Sequence, residues 1–135
     1  MKHNIKIMAI NIKKLNRQSN IKDHDLKGYI AKVIKKGKVS LDDVVKYSLK
    51  NQPIDERTAK FIIELVVDGI VNYLADGYYV DLGLLGQLSP AVRGKMKENA
   101  DDITLKDLGI TINYRISKEL KSKLEGTEMN FIDEK

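Results

Sequence analysis

Apolar and polar positions change their period several times along the chain, and each change predicts an element. From Ile5 to Leu15 apolar Ile10 and Ile12 alternate with polar Asn11 and Lys13, the period of two that marks a strand. Asn16–Asn20 (NRQSN) reads as a polar break, and Gly28–Lys38 (GYIAKVIKKGK) as a second short strand closed by Gly37. At Ser40 the period lengthens. Leu41, Val44, Val45 and Leu49 recur at helical spacing behind a serine that can cap, with Asp43 three residues on, which predicts an amphipathic helix over 41–50. Pro53 breaks it, Asp55 caps the next, and that helix is expected to run to about Asp76, with Gly77 as its left-handed terminator.

The second helix is unusual in its pattern. Phe61, Ile62, Ile63, Leu65, Val66, Val67, Ile70, Val71 and Leu74 cover far more of the helical wheel than one buried stripe. In a domain with only one short helix preceding it, that surface has too little to cover it, so the excess predicts a second copy of the protein. Phe61, Ile62, Leu65, Val66, Ile70 and Leu74 are the expected dimer interface. Tyr78–Leu88 is strand-like again, with Pro90 ending central pairing or marking a sheet edge. Residues 91–108 are polar and aperiodic, an excursion from a sheet in the form of a hairpin arm or long loop. Gly109–Ile116 (GITINYRI) alternates cleanly, Ile110, Ile112, Tyr114 and Ile116 against Thr111, Asn113 and Arg115. Ser117 caps a last helix to about Leu124, Gly126 stops it, and the tail from Thr127 is expected to fray. The fold class is α+β, a hairpin packed on two helices.

Composition then narrows the function. The 135 residues fit one domain, or one domain with an appendage, and the absence of cysteine excludes disulfides and thiolate metal sites. The opening MKHNIKIMAINIKK carries alternating lysines instead of an apolar run, so no signal peptide is expected, and the apolar helix is too short and too charged to span a bilayer. A cytoplasmic protein without membrane contact is expected. The net charge of +5 conceals an asymmetry: residues 1–38 hold eleven Lys/Arg against Asp23 and Asp25, a balance of +9, and the rest of the chain balances at −4. A basic segment beside a mildly acidic domain suits a polyanion, foremost a nucleic acid, though scattered lysines also serve solubility alone.

Catalytic chemistry has little to work with. His3 and His24 both lie in the basic extension, and a Ser-His-Asp arrangement would need His24 held rigidly there. Adjacent Asp101 and Asp102 read as solvated surface charge. Gly83–Gly86 (GLLG) matches neither G-x-G-x-x-G nor a Walker loop, and no helix follows it, so its glycines read as structural. No enzyme, cofactor, metal site or small-molecule substrate is expected. Tyr47, Tyr73 and Tyr114 fall in apolar periodicity and are expected in the core, with one of Tyr78 and Tyr79 exposed.

The capped short helix, IDERTAKFIIELVVDGIVNYLADGYYVDLGLLGQLSP, the excursion, and INYRISKELKSKL together resemble the bacterial histone-like HU/IHF family, in a divergent HU-like branch with an extra basic N-terminal segment. The family's G-F-G-T-F turn falls on Leu84–Leu88, with Gly86 at the second glycine, Leu85 and Leu88 for the phenylalanines and Gln87 for the threonine. The resemblance implies an intertwined homodimer with a helical base and β-hairpin arms, plus the strand-like extension. The expected partition is 1–38 extension, 39–126 HU/IHF-like DNA-binding domain and 127–135 flexible tail. It implies double-stranded DNA as partner, bound largely without sequence preference through backbone and minor groove. Arg93, Lys95, Lys97, Lys106, Arg115 and Lys118 would serve from arm and saddle, and Lys13, Lys14, Arg17, Lys35, Lys36 and Lys38 from the extension. Two departures stand out. The region of the family's intercalating proline, Lys97–Leu105, has no proline and three acids, Glu98, Asp101 and Asp102, with Met96 the nearby apolar residue; Ile116 replaces the proline that opens the last helix. The alternative is an HU-fold dimeric interaction module with weakened or lost DNA binding.

Overall fold

The computed structural model describes residues 9–18 and 27–132, so expectations resting on His3, His24, Asp23 or Asp25 fall outside it. The chain divides into two compact units, residues 40–122 and a terminal unit assembled from 1–39 and 123–135.

In the larger unit, helix α1 spans Leu41–Leu49 and opens with a capping box. The Asp43 amide donates to Ser40 Oγ and the Ser40 amide to Asp43 Oδ2, both at 3.1 Å, so two otherwise orphaned donors are satisfied reciprocally. Val45 turns inward and is buried, and α1 packs on helix α2, Glu56–Ala75. Asp55 caps α2 by accepting from the Thr58 amide at 3.2 Å and the Thr58 hydroxyl at 2.8 Å. The other end is a Schellman turn: Gly77 has φ 92°, its amide donates to Leu74 O, and the Tyr78 amide reaches back to Tyr73 O. The apolar contact that accompanies such turns is here an edge-on pair of rings, Tyr73 and Tyr78, with centroids 5.6 Å apart.

Strands β3 (Val80–Asp81), β4 (Gln87–Arg93) and β5 (Gly109–Arg115) form an antiparallel sheet in that order. Tyr78–Leu88 is therefore not one strand: Gly83–Leu85 is a 3₁₀ turn between β3 and β4. Pro90 does not end pairing; it stands opposite Ile112 in mid-ladder. Because β3 reaches only to Leu88, β4 has a free edge at Pro90, where a residue without an N–H is tolerated. The ladder stops at Arg93 opposite Gly109, and residues 94–108 make an unpaired excursion with 3₁₀ turns at Ala100–Asp102 and Leu105–Asp107. Helix α3, Lys118–Glu125, follows β5, with Ser117 Oγ accepting from the Leu120 amide at 3.0 Å.

The terminal unit is a sheet of order β2-β1-β6, from Lys27–Val33, Ile10–Gln18 and Met129–Phe131. β1 and β2 are antiparallel, whereas β6 runs parallel to β1 with Ile12 opposite Phe131. Two expectations change here. Asn16–Gln18 continues β1 because Tyr29, Gly28 and Lys27 pair with it, and the tail is strand at Met129–Phe131 because β1 offers it an edge; the Ile132 amide continues the pairing to Ile12 O at 2.9 Å.

Candidate nucleic-acid interface

The hairpin β4–β5 has two chemically distinct faces, fixed by its register. Cross-strand partners point the same way, and alternate residues share a face. One face carries Leu88, Pro90 and Val92 with Tyr114, Ile112 and Ile110; the other carries Gln87, Ser89, Ala91 and Arg93 with Arg115, Asn113, Thr111 and Gly109. Arg93 and Arg115 thus share the polar face at its two ends, six residue steps or about 20 Å apart. Both are exposed.

Gly86, next to that ladder, is where the backbone packs closest. Its φ is 116°, and a side chain there would collide with the Arg115 carbonyl oxygen. The Asp81–Gly86 turn consumes its own donors: the Leu82 amide bonds Gly86 O, the Gly83 amide Asp81 Oδ1, and the Gly86 amide Gly83 O. Its outward carbonyls are taken as well, Leu84 O by the Ser117 hydroxyl and Leu85 O by the Tyr114 hydroxyl. A phosphate cradle needs amides to spare, and these three have none.

Beyond the ladder, Lys95 and Lys97 stand at the start of the excursion, just after β4, Lys106 on the turn Leu105–Asp107, and Lys118 at the first residue of α3, all exposed. Asp101 and Asp102 occupy the other turn, also exposed. Met96 is 99% exposed, and so nearly is Leu105 at 88%. Leu105 went unremarked in the sequence, where only its apolar character between Thr104 and Lys106 signalled it.

In the terminal unit, Lys13 and Arg17 share one face of β1 with Lys32 of β2, which stands directly opposite Lys13. Lys14 lies on the reverse face, its ammonium 4.5 Å from the centre of the Phe131 ring, a cation–π contact that turns it away from Lys13 and Arg17. Lys35, Lys36 and Lys38 follow β2 on the link to Ser40. The twelve candidate cations therefore form two groups, six in each unit.

The predicted interface residues of α2 are not covered within the chain. Phe61, Ile62, Leu65 and Val66 are each more than half exposed, Ile70 and Leu74 are partly covered, and no residue of α2 is fully buried. The tyrosines expected in the core are exposed too: Tyr47, Tyr73 and Tyr114, and both Tyr78 and Tyr79. Among the described residues no cluster of His, Asp and Glu could hold a metal ion, and no helix is long and apolar enough to cross a membrane.

Among solved structures the chain is similar to a candidate bacterial DNA-binding protein from Bacteroides vulgatus, with a TM-score of 0.69 at 15% identity over 90% of this chain. It spans about half of that protein, 47% of its length. No curated protein matches. The family model described as an HU domain fused to a winged helix-turn-helix, an immunoglobulin-like or a glycine-rich motif matches residues 8–130, and the chain belongs to this HU-HIG family.

Proposed function

We propose that the protein is a homodimeric, double-stranded-DNA-binding architectural protein of the bacterial nucleoid, acting in the cytoplasm and largely without sequence preference. The observation that carries this reading is the polar face of the β4–β5 hairpin, with exposed arginines at both ends and Lys95 and Lys97 just beyond. Such cations neutralise phosphates and position the protein on a duplex without reading bases. Met96 and Leu105 are the apolar side chains available to wedge between base steps from the minor groove. The uncovered α2 face, with Phe61, Ile62, Leu65 and Val66, supports a second copy as the structural partner. Lys106, Arg115 and Lys118, with Lys13, Lys14, Arg17, Lys35, Lys36 and Lys38, add to the electrostatic attraction.

The test is a mobility-shift titration of two unrelated duplexes over a range of salt concentrations. Equal affinities that fall steeply with salt are expected, and Arg93→Glu with Arg115→Glu should weaken both duplexes at least about tenfold. No shift at micromolar protein in low salt would sink the reading. A second reading is favoured by one observation, the exposed acids Glu98, Asp101 and Asp102 on the excursion. They suit an HU-fold module that docks on a protein, and capture of a protein partner that survives nuclease treatment would favour it.

A further inference from the structure

The chain contains neither cysteine nor tryptophan, so its four methionines hold all of its sulfur and are where a peroxide reacts first. Met1 and Met8 lie outside the described residues. Met129 is a residue of strand β6, opposite Ile10, and is 67% exposed. Met96 is 99% exposed, beyond the last rung of the β4–β5 ladder, Arg93 opposite Gly109. At that exposure its thioether lone pairs face solvent.

Its position makes that chemistry consequential. Met96 stands between Lys95 and Lys97, both exposed, on the segment that follows the strand ending at Arg93. Side chains that wedge between base steps work by being apolar, because the gap they enter offers no hydrogen-bond partner. A sulfoxide puts a strong S=O acceptor on the same side chain, and in such a gap it loses its water and gains nothing in exchange. The lysine charges on either side are untouched by the change. Oxidation thus removes the wedge and keeps the phosphate contacts. Leu105, the other candidate wedge, is a hydrocarbon that peroxide leaves alone.

We propose that Met96 is a peroxide-sensitive modification site, whose conversion to methionine sulfoxide loosens the hairpin from bent duplex DNA. This regulation rests on the architectural reading above, since it acts on the same site. The sulfur lone pair attacks one oxygen of hydrogen peroxide. The S–O bond forms as the O–O bond breaks, and the departing hydroxide takes the proton from S–OH, leaving sulfoxide and water. Sulfur gives up two electrons and the peroxide accepts them. A methionine sulfoxide reductase supplied with a dithiol releases the oxygen as water, and the dithiol becomes a disulfide.

The test treats the full chain with hydrogen peroxide and follows each methionine by peptide mass spectrometry. Duplex affinity, its salt dependence and the bend are then measured, the bend by Förster transfer between the ends of a duplex of about 30 base pairs. Met96 should oxidise before Met129. Duplex affinity should then fall about tenfold and the bend relax, while the salt slope stays as it was. Met96→Leu should keep affinity and bend through the same treatment, and Met96→Gln should reproduce the oxidised state without peroxide. Reductase with dithiothreitol should restore the wild type. Fully oxidised Met96 with affinity and bend unchanged, oxidation that spares Met96, or an equal loss in Met96→Leu overturns the proposal and leaves the architectural reading standing. No duplex binding before peroxide defeats the architectural reading, and this regulation with it.

Discussion

Gly86 adopts φ 116°, and a Cβ placed on it would run into the Arg115 carbonyl and lie 3.2 Å from Ile116 Cα, both backbone atoms that cannot swing aside. Gly83 also has a positive φ, 67°, but open space around it. The pair separates conformational strain from collision. Gly83→Ala should cost about 1 kcal/mol and Gly86→Ala on the order of 3 kcal/mol in urea unfolding, the difference being the collision. Two carboxylates make the helix starts sensitive to acid. The backbone amide of Ser40, then its side chain, hold Asp43 below the ordinary 3.8; the Thr58 hydroxyl, then its amide, do the same for Asp55. Carboxyls depressed in the native state favour folding in their ionised form, so the capping contribution is fully present above about pH 4 and drains away as the pH falls through the native values. Helicity followed by circular dichroism should decline as the solution is acidified, and Asp43→Asn with Asp55→Asn should flatten that response.

At the scale of elements, α2 is the one whose sequence and surroundings disagree most within a single chain. A helix apolar around most of its circumference and nowhere fully buried needs a partner surface. Leu65→Asp, at a position 53% exposed in the chain, should leave the monomer folded and shift sedimentation equilibrium from dimer to monomer. An unchanged dimer would place the interface elsewhere. The helices were legible in the sequence because their caps and period are local: Ser40 with Asp43, Asp55 with Thr58, Gly77 behind a helical run. The strands of the terminal sheet were legible only where they alternate. Asn16–Gln18 is strand because Tyr29, Gly28 and Lys27 lie opposite, and three residues such as Met129–Phe131 carry no period to read. The candidate cations could be named from the sequence, but register decides that Arg93 and Arg115 share a face and that Lys14 does not share one with Lys13. Nothing in INIKK marks Asn11 as buried, since its burial comes from residues distant along the chain.

For the whole molecule the charge asymmetry becomes a measurable slope. Each phosphate neutralised on a duplex contributes about 0.9 to the fall of log affinity with log salt. Deleting residues 1–38 should lower the duplex slope by about 0.9 for each extension cation that touches phosphate, and a slope unchanged by the deletion would confine duplex contacts to residues 39–135. A deletion of this kind also removes two of the three strands of the terminal sheet.

That sheet joins the two ends of the chain: Ile10 lies opposite Met129, 119 residues later in the sequence. During synthesis β1 and β2 can zip together as a local hairpin, but the parallel edge of β1 stays open until Met129–Phe131 has left the ribosome. Closing so long a loop is slow compared with forming α1 and α2. Throughout that interval the larger unit is free to fold, while the nascent terminal unit presents an unpaired strand edge to whatever reaches it first. The pairing of Ile10–Ile12 with Met129–Phe131 is thus the last of that sheet to form.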